Sequence, residues 1–130
     1  MNRRQITIDT LNKIATEQFR YGRVDCCLVA AKVVHAITGI NPAEKYYYHN
    51  GKGAYNIVDS HGGLSGLLTS LLGHSDKSGF DYGDPVMINF NDKQMIGVFM
   101  ATFVYIKTIR GMVQISVDRI IEGWKLCPRQ

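Results

Sequence analysis

Apolar positions along the first third of the chain recur at helical spacing. Over residues 7–19, "TIDTLNKIATEQF", Ile8, Leu11, Ile14, Ala15 and Phe19 fall on one helical stripe, with Thr7 placed to cap its start. Gly22 interrupts the pattern. Asp25 then stands as the N-cap of a second helix, "CCLVAAKVVHAIT", running to about Thr38, with Gly39 as its stop signal and Pro42 just beyond. Lys32 is its only Lys, Arg, Asp or Glu, which predicts a helix buried on most sides. Residues 40–53 read as loop. A short helix follows over Ala54 to Ser60, Gly62-Gly63 breaks it, and "LSGLLTSLLG" reads as another ending at Gly73.

The second half changes character. "PVMINF", "QMIGVFMAT", "FVYIKTI" and "MVQISV" are rich in β-branched and aromatic residues and are separated by the turn signals "NDK" and "RG". They predict an antiparallel meander. "GWKLCP" reads as a last short strand, with Arg119 to Glu122 as the turn before it. Helices first and strands after predict an α+β fold, with N-terminal helices packed on a small C-terminal antiparallel sheet. The run "MIGVFMATFVYI" alternates little, so its strands are expected to be covered on both faces, by helices on one side and another subunit on the other. Trp124 is expected in the core, and Asp84 after Gly83 reads as a turn residue.

Composition narrows the class. A chain of 130 residues with 45% hydrophobic and 20% charged residues fits one globular domain spanning residues 1–130. No apolar run approaches the roughly 20 residues of a membrane helix, and "MNRRQITIDT" lacks the apolar stretch of a secretory signal. The net charge of +4 comes from basic residues scattered along the chain, so nucleic acid is not an expected partner. Three cysteines, with no CxxC pair and no zinc-ligand spacing, point to reduced thiols, and neither a metal nor a cofactor is expected.

The chemistry concentrates at Asp25-Cys26-Cys27. A cysteine in the first turn of a helix has its thiolate stabilised by free N–H groups and the helix dipole. The same residues also serve as small apolar packing units. A nucleophile needs a base, and the histidines are His35, His49, His61 and His74. His35 lies more than two turns along the same helix, and the other three fall outside the predicted strands. In "YYYHN", Tyr46 to Tyr48 offer either interface area or core cover.

The order "F-x-Y-G-x-x-D-C" opening a helix, "G-D-P-V" opening a strand and "I-G-V" on the next resembles the NlpC-type cell-wall peptidases, papain-like cysteine hydrolases of peptidoglycan stems. The chain is more closely similar to a phage- and prophage-encoded branch of that fold. The similarity rests on Asp25-Cys26-Cys27, Thr38-Gly39 with Pro42, Gly62-Gly63-Leu64, Gly83-Asp84 with Val86, Ile96-Gly97-Val98 and Trp124-Lys125-Leu126. It spans Phe19 to Leu126. The resemblance implies a papain-like core with Cys26 at the nucleophile position. It puts Met95 where the peptidases carry their base histidine and Phe19 where many carry an oxyanion tyrosine. It also implies a third, orienting polar residue after Gly97, where "FVYIKTI" has no His, Asn or Gln. The expectation is a catalytically degenerate structural or assembly component of a phage tail or tail tip. It would be made in the host cytoplasm, reside in the virion, and contact other tail or connector proteins and further copies of itself. The alternative is an active peptidase or amidase that cuts peptidoglycan through Cys26 with His61 or His74. A third reading is an assembly chaperone that leaves the particle.

Overall fold

The computed structural model describes residues 2–127. Four helices, α1 (Arg3–Ile14), α2 (Cys26–Thr38), α3 (Gly51–Ser60) and α4 (Leu64–Leu72), precede five strands, β1 (Pro85–Phe90), β2 (Lys93–Phe99), β3 (Phe103–Thr108), β4 (Gly111–Ser116) and β5 (Ile120–Gly123). The expected α+β arrangement, helices first and an antiparallel sheet after, is the one observed.

Capping chemistry sets the helix bounds. α2 begins and ends as its sequence predicts: the Asp25 carboxylate accepts from Leu28 N at 2.9 Å, and Gly39 takes the left-handed conformation at φ 83°. α1 starts earlier than expected, because Asn2 caps it by accepting from Gln5 N at 2.8 Å. Thr7 is therefore not a cap. It is fully buried, and its hydroxyl donates back to Arg3 O at 2.8 Å. α1 also stops at Ile14, which leaves Phe19 outside the helix. α3 starts at Gly51, not Ala54, since Asn50 caps it through Gly53 N at 2.8 Å despite the low helix propensity of its two glycines.

The sheet order is β4-β3-β2-β1-β5, so its edge strands are β4 and β5. Only the 3-10 turn Val117–Arg119 connects them. In a flat sheet those edges lie about 19 Å apart, four strand spacings. The chain from Ser116 to Ile120 reaches at most about 14 Å. The sheet must therefore curl toward a partly open barrel. Its inner face holds Val86, Ile88, Val104 and Ile106, each no more than 1% exposed, ringed by Phe80, Phe90, Phe99, Ile115, Val117 and Ile120. The second face of the strands is covered by the sheet's own curvature and the flanking loops, so its burial does not call for another subunit.

The other face packs on the helices, through Leu11, Val29, Val33, Ile37 and Leu67 against Met87, Ile96 and Val98. Trp124 is fully buried there, as expected, and its indole N–H donates to Thr69 Oγ1 at 3.3 Å. The C-terminal end differs from the sequence expectation. Ile120 to Gly123, read mostly as turn, pairs with β1 as a strand, while the residues after Gly123 do not continue it. Val117–Arg119 makes the reversal two to three residues sooner, and buried Glu122 is accommodated because Ser75 Oγ donates to it at 2.6 Å.

Candidate functional site

The loop before α2 is a tight reversal. Arg20 and Val24 exchange backbone hydrogen bonds at 2.9 and 2.8 Å, with Gly22 at the tip at φ 82°. A side chain at Gly22 would put Cβ 1.9 Å from Tyr48 O, so glycine there lets the segment around Tyr48 lie directly on the turn. The reversal delivers Asp25, 4% exposed, to the helix start. Its carboxylate accepts from Leu28 N, from Gly22 N at 3.1 Å and from the Tyr48 hydroxyl. One buried charge thus fixes the helix start, the turn and the distant Tyr48 segment.

The two cysteines diverge from this point. Cys26 packs with the barrel-side cluster, which also takes in Met95. Cys27 packs with the helical core and lines an apolar cavity of about 80 Å³ between α2, α3 and α4. Their acidities diverge too. The Cys27 side chain, hydrogen-bonded to Cys26, is the largest influence on the Cys26 thiol and lowers its pKa. Burial and the Asp25 charge oppose this, and the Ile96 and Cys27 backbone add to it. Cys27 is pushed well above the ordinary thiol value, first by that same hydrogen bond and then by burial. Tyr48 is raised by burial and by its bond to Asp25, so its hydroxyl stays protonated.

Met95 stands on β2 opposite Ile88, one residue before the Ile96 backbone that reaches Cys26. Of the residues singled out from sequence, Cys26 and Met95 are thus brought into one cluster. Phe19 belongs to neither apolar cluster. It stacks edge-on against Tyr21, ring centroids 4.9 Å apart. His35, His49 and His74 are exposed. His61 has both ring nitrogens engaged elsewhere, Nε2 with the Tyr46 hydroxyl at 3.2 Å and Nδ1 with Ile57 O at 2.8 Å. Among the described residues, no histidine figures among the groups that act on the Cys26 thiol.

Two structural hubs lie outside the sequence expectations. Tyr48, within "YYYHN", is the residue of that stretch that closes on Asp25, whereas Tyr47 is 87% exposed. Asp84, read as a turn residue, is 1% exposed and accepts from Asp81 N at 2.8 Å, Leu126 N at 3.0 Å and the Arg3 guanidinium. The sequence signal for Tyr48 is weak, since any of three tyrosines fits. For Asp84 the Gly-Asp-Pro turn chemistry masks the long-range role.

What these observations define is an α+β domain with a partly buried cysteine at a carboxylate-capped helix start. The chain belongs to the family described as a domain of unknown function, DUF6950, which matches residues 2–126. No curated protein matches the chain.

Proposed function

We propose that this chain is a non-hydrolytic member of the papain-like, NlpC-type fold that works by protein–protein contact as a phage tail or tail-tip component. The observation that carries the reading is Met95. A thioether takes no proton at neutral pH, and Met95 packs against the same apolar cluster as Cys26, at the position where the resemblance expects the base. The ordered sequence motifs supply the tail setting. The helix start is intact as architecture, with Asp25 bonded to three partners, which fits a scaffold kept after its chemistry has gone.

The hydrolase is favoured instead by the position of Cys26 at the helix start, where the Cys27 side chain lowers its pKa against burial and the Asp25 charge. Both readings meet in one experiment. Purified protein and its Cys26→Ala variant are incubated with peptidoglycan sacculi, and soluble fragments are quantified. The expected result is no release above the variant, together with detection of the chain by mass spectrometry in purified particles. Release that depends on Cys26 overturns the non-hydrolytic reading. Absence from particles overturns the tail-component reading in favour of an assembly factor.

A further inference from the structure

At the far end of α1 from the Asp84 hub, the chain turns over the β3–β4 hairpin and leaves a polar cavity of about 360 Å³. Thr16, Glu17 and Gln18 form one wall, and Lys107 and Arg110 the other. Lys107 points from β3 toward the helical side and is 1% exposed. Its ammonium donates to Glu17 O, the one acceptor it has among the described residues. No carboxylate among the described residues forms an ion pair with it. An ammonium carries three donors, and a buried cation without a counter-charge is costly. Arg110, exposed on the two-residue turn between Thr108 and Gly111, adds a second cation at the rim.

We propose that this cavity binds a phosphate group, with Lys107 as the charged floor and Arg110 closing from the rim. A phosphate dianion balances the two cations, its oxygens taking the Arg110 guanidinium fork while the buried Lys107 ammonium acts through its charge. Thr16 and Gln18, both with polar side chains, also line the cavity. Glu17 is the one acidic side chain in the lining; it is exposed to water and opposes the ligand. The site is separate from Cys26 and holds whichever reading of that cysteine is correct. A purely structural Lys107, capping a carbonyl beyond α1, gives no reason for an anion to bind here, and that difference is testable.

Thermal shift and isothermal titration with inorganic phosphate, against chloride at matched ionic strength, provide the test. The wild-type chain is expected to bind one phosphate. Arg110→Ala weakens binding about tenfold, the scale of losing a charge-assisted hydrogen bond. Glu17→Gln tightens it, a change that loss of structure does not produce. Both positions are exposed, so these variants fold even if Lys107→Met does not. Glycerol 2-phosphate in place of the free ion separates the sources. Equal affinity means the site takes the ion itself, and tighter binding of the ester means it reads a phosphate carried on a larger molecule. Phosphate that stabilises no more than chloride, or that binds wild type, Arg110→Ala and Glu17→Gln alike, overturns the proposal.

Discussion

Replacing Asp84 by alanine removes the acceptor that joins three parts of the chain. Arg3 at the start of α1 donates to Asp84, to Tyr82 O at 2.7 Å and to Leu126 O at 3.5 Å, while Asp84 also accepts from the backbone of Asp81 and Leu126. The variant leaves two backbone N–H groups and a guanidinium without their carboxylate. Each hydrogen bond to a charged group is worth about 1.5–3 kcal/mol, and breaking a buried pair from one side costs about 3–5 kcal/mol. These figures overlap, because they count the same carboxylate. The Arg3 side chain is 15% exposed, so water recovers part of the loss on that side. The expected destabilisation is about 3–5 kcal/mol, or a fall in Tm of about 10–20 °C for a chain of this size. Urea unfolding followed by circular dichroism measures it, with the m-value unchanged if the native state stays compact. Arg3→Met is expected to cost less than Asp84→Ala, since both backbone donors keep their acceptor, and the double variant to cost less than the sum. A loss below about 1 kcal/mol for Asp84→Ala, or full additivity, refutes the hub.

Other consequences are equally direct. Tyr48 has a raised pKa in the fold, so the stability tied to its protonated hydroxyl is fully present below the unfolded tyrosine value of about 10 and is lost as pH rises beyond it. Tyr48→Phe is expected to flatten that alkaline decline in urea-midpoint measurements and to cost about 1–2 kcal/mol at neutral pH. Glu122 behaves oppositely. Its pKa is lowered, first by the Ser65 hydroxyl and then by Ser75, so its contribution is present above the usual carboxylate range and disappears as pH falls through the lowered value. Ser75→Ala is expected to move the acid unfolding midpoint to higher pH. Gly97→Ala would place a Cβ 2.3 Å from Val104 Cγ1 in the middle of the sheet, and overpacking of this kind costs about 1–3 kcal/mol, read as a lower Tm by calorimetry.

Local rules are enough for much of the fold. The α2 caps, the helical spacing of the first half and the β-branched, aromatic strands between turn signals are properties of short windows, which is why the α+β order is legible in the sequence. Cys26 at the helix start is legible for the same reason, because an Asp N-cap followed by apolar residues is a local signal. Where two local signals compete, as with Asn2 and Thr7 or Asn50 and Ala54, only the observed hydrogen bonds decide between them. Arg119 to Glu122 is expected as a turn, and the distant Ser65 and Ser75 hydroxyls that act on buried Glu122 are invisible to a window of a few residues.

The amino-acid sequence by itself determined the four helices, the first four strands, their order, and the pairing of a cysteine with a helix start. The tertiary structure alone decided how those elements share polar partners and space. It curled the sheet by joining its two edges through three residues, gave Asp25 its third partner from Tyr48, and made Asp84 an anchor for both ends of the described chain. It also buried Lys107 beside a polar cavity. The physical reason is the same in each case. A buried charge is stable only with partners, and folding recruits those partners from tens of residues away, where sequence periodicity carries no information about them.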